Sequence, residues 1–198
     1  MKRLIILISL PIAFIRAQIE LPVKTFFGLQ TGMNHSTFDP DDGAGNFSGF
    51  GFQIGLGMGV EFANIFGIQI APTFKTTSFD RTVLNIDMGA DYNNLYLPFT
   101  LQLKAGMLPV VPYLGLGFAG NFQLDGTVYL GSVKTSVDDL ENDLLFLFSV
   151  GTDFKLTKVK ITPEFSFNFN LTADDPDTQN RVESNYSFDI SLGVYYTP

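Results

Sequence analysis

From Gly49 to Val60 the chain alternates without a fault. The even positions are Phe50, Phe52, Ile54, Leu56, Met58 and Val60, and the odd ones are Gly49, Gly51, Gln53, Gly55, Gly57 and Gly59. A period of two is the signature of a β-strand, whose side chains point to opposite faces in turn. One face of this strand is continuously apolar and the other is nearly bare backbone. Such a strand needs an apolar medium on one side and a crowded, narrow space on the other.

The pattern recurs along the chain. Val23 to Met33 sets Phe27, Leu29 and Met33 against Lys24, Gly28, Gln30 and Gly32. Ile65 to Thr77, Leu95 to Lys104, Tyr113 to Phe122 and Ile161 to Leu171 alternate in the same way, and so does Tyr186 to Tyr196. Leu144 to Lys155 alternates too, blurred by Leu145 and Leu147. The reading is eight strands, each near the roughly ten residues that a tilted strand needs to cross a bilayer.

The connections also alternate. Those after the second, fourth and sixth strands are short (near Glu61–Asn64, Ala105–Pro112 and Leu156–Val159). Those after the first, third, fifth and seventh are long (Asn34–Ser48, Ser78–Asn94, Gln123–Asp143 and Thr172–Asn185). Transmembrane barrels place short turns at the periplasm and long loops outside. With an even strand count, both termini are then expected in the periplasm. The predicted fold is all-β, an eight-stranded antiparallel up-and-down transmembrane β-barrel.

A soluble up-and-down barrel with a greasy interior is the competing reading. Its outer face would meet water and carry Lys, Glu and Asp. Only 16% of this chain is charged, against roughly 25% in an ordinary soluble domain. The polar face is instead Gly, Gln, Asn, Ser and Thr, which suits the narrow lumen of an eight-stranded barrel. An apolar face turned to lipid is tolerable because closure of the ring satisfies every backbone group.

The start of the chain points to export. Lys2 and Arg3 precede an apolar run from Leu4 to Ile15, and Ala17 supplies a small residue before a cut. Residues 1–17 read as a cleaved signal peptide and 18–198 as the barrel. Losing Lys2, Arg3 and Arg16 takes the formal net charge from −8 to −11, which disfavours nucleic-acid binding. The absence of cysteine removes disulfides, thiolate metal sites and cysteine nucleophiles together.

With the export signal, the eight alternating segments and the terminal strand in view, the chain resembles the small bacterial outer membrane protein β-barrel domain family. That family includes PorT-like proteins and eight-stranded OmpA-OmpX-type barrels, and the resemblance covers nearly the whole mature chain. It implies residence in the Gram-negative cell outer membrane, with outer-membrane lipid and the barrel-assembly machinery as partners. It also implies that the last strand is an assembly signal, matched here by Tyr186, Phe188, Ile190, Leu192, Val194 and Tyr196. The departure is Thr197-Pro198, which moves the aromatic off the extreme C-terminus.

Candidate functional residues are few. By parity and strand direction, Lys24, Lys104, Asp153 and Glu164 form an inward-facing charge cluster near the periplasmic end. A lysine–carboxylate pair there is expected to close the lumen, because paired charges offset their desolvation. The long loops hold many carboxylates, among them Asp39, Asp41, Asp42, Asp80, Asp91, Asp125, Asp143 and Asp174. Carboxylate oxygens suit divalent cations, but Asp39-Pro40-Asp41-Asp42-Gly43 fails the spacing of an EF-hand loop; solvation of the loops is the reading adopted. Some eight-stranded barrels modify lipids with a His, a Ser and a carboxylate at the outer rim. His35 with Ser36, and Ser78 with Asp80, match in residue type only. The expectation is therefore no enzyme, no cofactor and a structural or interaction role with a protein partner unknown, a small-solute or lipid conduit being the alternative.

Overall fold

The computed structural model describes residues 23–38, 47–83, 86–105, 109–136, 142–172 and 186–198. Residues 1–17, expected to be a signal peptide, and most of the acidic residues expected in loops, including Asp39, Asp41, Asp42 and Asp174, lie outside them. Ten strands follow one another: β1 (Val23–Phe38), β2 (Phe47–Phe62), β3 (Phe66–Ile70), β4 (Thr73–Val83), β5 (Ile86–Lys104), β6 (Val110–Leu130), β7 (Val133–Ser136), β8 (Asn142–Leu156), β9 (Val159–Asn170) and β10 (Tyr186–Tyr196). Every pairing is antiparallel, and the order β5-β4-β2-β1-β10-β9-β8-β6 is closed by pairing of β5 with β6. That makes a ring of eight members, with β10 sealed to β1 through Phe27↔Tyr196 to Thr37↔Tyr186.

The two extra strands have local causes. The third predicted strand is split into β3 and β4 at Ala71–Pro72, because proline cannot donate to the ladder; β3 still fills the wall between β2 and β5. β7 folds back on the end of β6 through Val133↔Leu130. The tight turn from β2 to β3 uses Ala63 (φ 52°) and Asn64 (φ 56°), and the Ile65 N–H donates to the Phe62 carbonyl at 3.0 Å. Two left-handed residues in succession suit the twist of a short hairpin.

Three of the four expected long loops are strand in part. β4 and β5 remain paired to Val83↔Ile86, and β5 and β6 to Met88↔Leu130. Asp80, Asp91 and Asp125 are thus strand residues, not loop residues. Their polarity disguised strands that extend past the apolar stripe, held there by backbone pairing and by side-chain contacts such as the Asn93 amide donating to Asp125 and the packing of Phe79 on Tyr92. A bulge at Asn93/Asn94 leaves Leu124 without a register partner.

The two faces separate as the alternation requires. Phe52, Ile54 and Leu56 are 66%, 59% and 55% exposed, whereas Gln53 is 5% exposed. The outer face is apolar around the ring, and the buried residues sit in the lumen. Leu145 and Leu147 also point inward, where they pack with Tyr96 and Ala119. This explains the blur in the eighth strand's alternation.

Candidate functional site

The lumen holds the chain's concentrated chemistry. Near the end where β2 meets β3, Glu61 of β2 is 2% exposed. It accepts from Lys104 of β5 at 2.7 Å, Lys155 of β8 at 2.8 Å and Lys160 of β9 at 2.9 Å. Asp153 of β8 accepts from Lys104 at 2.5 Å and from the Thr162 hydroxyl at 2.8 Å, with the Lys160 ammonium 3.7 Å away. The layer therefore spans the ring as chords between four strands.

Aromatic side chains pack around these charges. The Lys160 ammonium lies 3.3 Å from the centre of the Phe26 ring, a cation–π contact, and Phe26 meets Tyr195 edge-on at 5.2 Å. Glycine makes the room. A Cβ at Gly57 would stand 2.5 Å from Tyr195, and one at Gly151 would stand 2.4 Å from Tyr113. The bare inner face of β2 thus leaves space for Tyr195 beside Gly57 and Phe26 beside Gly59.

Higher in the barrel, Lys75 of β4 pairs with Asp189 of β10 at 2.7 Å and stands 3.7 Å from the Tyr96 ring centre. Asn168 donates to the same Asp189 oxygen at 2.8 Å, and the Tyr96 hydroxyl donates to Asn168 at 2.6 Å. Between the two layers is a cavity of about 20 Å³, lined by Gln30, Gln53, Gln69, Thr73, Glu164 and Asp189 among others. Roughly 10–15 Å³ is needed for one water. Among the described residues, the lumen between its rims carries Lys75, Lys104, Lys155 and Lys160 against Glu61, Asp153, Glu164 and Asp189, so its formal charge is zero.

Of the four residues picked from sequence, the structure joins two: Lys104 and Asp153. Glu164 faces the lumen but accepts from the Tyr113 hydroxyl at 2.5 Å and from Ser166 at 3.2 Å, not from a lysine. Lys24 corrects the expectation: it is exposed and makes no ion pair among the described residues. It stands at the start of β1, where an ammonium stays in water and avoids desolvation. Glu61, Lys160 and Lys155 were missed because they sit at or beyond the ends of the alternating runs. Extending parity one residue past Val60 and one before Ile161 would have found the first two.

The candidate rim residues divide between the two faces of the wall, with Ser78 and Asp80 exposed. Ser36 is buried on the inner face, while His35 points outward, its ring 4.5 Å from Phe50 and 6.4 Å from Phe188. Successive strand residues cannot act on one substrate atom. Asp80 accepts from the Tyr129 hydroxyl. Among the described residues, no group of three or more His, Asp or Glu is placed to hold a metal ion.

A closed eight-membered ring with an apolar outside and a polar lumen narrows the families sharply, and the family of the outer membrane protein beta-barrel domain matches residues 6–197. The chain belongs to that family. Solved structures of outer membrane barrels share its fold. Neisserial surface protein A is 16% identical, with 86% of this chain and 96% of that one covered at a TM-score of 0.52. The outer membrane protein OprG from Pseudomonas aeruginosa is 15% identical, with 89% and 95% covered at 0.52. A major outer membrane protein from Thermus thermophilus is 12% identical, with 88% and 99% covered at 0.52. A sequence comparison with curated proteins finds no match. In this outer membrane barrel the six residues of the terminal-strand pattern, Tyr186 to Tyr196, share the outward face of β10, with Ile190 65% exposed. Thr197 is tied to the neighbouring turn by its N–H, which donates to the Lys158 carbonyl at 2.9 Å.

Proposed function

We propose that this outer membrane barrel is closed along its axis and works through its surfaces, as a structural or interaction protein, not as a conduit or an enzyme. One observation carries the reading: Glu61 gathers lysines from three other strands into a layer packed by Phe26, Tyr113 and Tyr195. Side chains fill an eight-stranded lumen readily, and buried ions that are paired and hydrogen-bonded resist separation, because parting them would leave uncompensated charge in the lumen. The short turns and both chain ends are assigned to the periplasm. The strands β4 to β7, with exposed Asp80, Asp91 and Asp125, then form an acidic surface outside the cell for an as yet unidentified partner. The separation of His35 from Ser36 supports the non-enzymatic reading.

Planar-bilayer recording of the unmodified protein tests it. No steady conductance is expected, and reproducible steady channels would establish the conduit instead. Pull-down of the intact protein from native outer membrane should then recover a protein partner lost when Asp80, Asp91 and Asp125 are changed to Asn.

A further inference from the structure

The wall of the barrel is not evenly bonded. β1 and β2 pair without a gap from Val23↔Phe62 to Phe38↔Phe47, but the ladder between β2 and β3–β4 is interrupted twice. At the first interruption the Leu56 N–H donates to the Pro72 carbonyl at 3.0 Å, and Pro72 has no N–H to return. On its other side the Ala71 N–H donates to the Pro98 carbonyl at 3.2 Å, and Pro98 likewise returns nothing. The Ala71 carbonyl accepts from the Thr73 hydroxyl instead, at 2.6 Å. At the second interruption the Phe52 N–H donates to the Thr76 hydroxyl at 3.2 Å, and the Thr76 carbonyl accepts from the Asn34 amide at 3.0 Å. Side chains have taken the places of ladder partners on both sides of the Ile54↔Phe74 pair.

Behind this seam lies the lumen cavity, with Gln53, Ala71, Thr73 and Pro98 in its lining. The pairing of β8 with β9 has a comparable gap beside Pro163. There the wall is backed by the Thr162 to Asp153 hydrogen bond at 2.8 Å and the packed charged layer, not by a cavity. Asp189 lines the cavity too; it is 3% exposed, and its Oδ1 has no hydrogen-bond partner.

We propose that the seam between β2 and β3–β4 is a lateral portal, opening toward the bilayer while the rest of the ring stays paired, and admitting the hydrogen-bond-donating head of a small amphiphile to the cavity. Regions with fewer ladder bonds open at lower free energy than the rest of a fold. The outer side of the seam is Ile54, Leu56 and Phe74, all exposed and apolar, so an opening there meets acyl chains. The lining amides, hydroxyls and carboxylates suit a hydroxyl head, and its donor would reach Asp189. About 20 Å³ leaves room for little more than that one group.

Hydrogen exchange in phosphatidylcholine nanodiscs reads the seam directly. Amides of 51–57 and 71–77 should exchange faster than those of 28–33, and equal protection would overturn the portal. The chain has no cysteine, so Gln53→Cys at the seam and Ser149→Cys on β8, across the ring from β2, can be labelled singly with N-ethylmaleimide. Gln53→Cys should react faster. Adding Pro72→Val and Pro98→Val should slow it by about tenfold, the effect of a hydrogen bond or two regained in the closed wall, without slowing Ser149→Cys. Matching rates at the two sites, or no slowing, would place entry at the barrel mouth. If the proline variants do not fold, the exchange pattern of the unmodified protein decides. Decanol in the bilayer should protect Gln53→Cys while decane does not; protection by both, or by neither, overturns the assigned chemistry.

Discussion

Replacing Glu61 by Gln keeps the shape of the side chain and removes one charge from a site where three ammonium groups lie within 2.9 Å of its oxygens. Lys104 and Glu61 have side chains 0% and 2% exposed, and only Lys155 reaches water, at 25%. After the change, Lys104 and Lys160 share Asp153 alone, and the lumen carries one uncompensated positive charge. Breaking a buried pair by removing one partner costs about 3–5 kcal/mol. With a urea slope of about 1–3 kcal/mol per molar, the unfolding midpoint in lipid vesicles should fall by roughly 2 M. The double variant Glu61→Gln with Lys160→Met restores neutrality and should recover part of the loss. Intrinsic tyrosine fluorescence and heat-modified gel mobility follow the transition independently. A single variant within about 0.5 kcal/mol of the unmodified protein, the range of an ordinary surface change, would refute the view that Glu61 is a buried partner on which these lysines depend.

Ile54→Arg, on the apolar outer face, should cost about 2–4 kcal/mol in the same titration. Gln53→Arg, facing the lumen, should cost less; equal losses would contradict the assignment of faces. Gly151→Ala places a methyl 2.4 Å from the Tyr113 ring and should destabilise by about 1–3 kcal/mol as the ring shifts, with a change in tyrosine near-UV circular dichroism as the readout. Deleting Thr197 and Pro198 should leave outer-membrane levels unchanged or higher while Tyr196→Ala lowers them, as measured by immunoblot of membrane fractions; the reverse order would remove Tyr196 from the assembly signal.

The ring was legible in the sequence because period-two alternation states both the strand and its two faces, and Gly49 to Val60 stated them without interruption. What escaped had physical reasons. Pro72 breaks a strand whose side-chain alternation continues through Phe74, so hydrophobicity alone could not show the split. Asp80, Asp91 and Asp125 read as loop because they leave the apolar band, although backbone pairing carries the strands on. The charged layer was half legible. Lys104 and Asp153 fell within alternating runs, but Glu61 and Lys160 fell one residue outside them, where a turn and a strand look alike. That Glu164 rests on Tyr113 is a matter of which strands become neighbours across the lumen, and no local pattern encodes it.

The charged layer also bears on a weakness of alternation itself. A slip of two residues between neighbouring strands leaves every Phe and Leu on the lipid side, so the greasy stripe cannot distinguish the right register from one displaced by two. The lumen ions can. A two-residue shift of β9 would present Lys158 or Thr162 where Lys160 now meets Glu61, and would separate Thr162 from Asp153. The lysines hydrogen-bonded to Glu61 and Asp153 are 43, 49, 94 and 99 residues from them in the chain, so the charges are matched only once β2, β5, β8 and β9 all stand in register. Buried ions that add little to stability in themselves can then act as a proofreading step, in which a misregistered ring pays in unpaired charge and stays open to rearrangement.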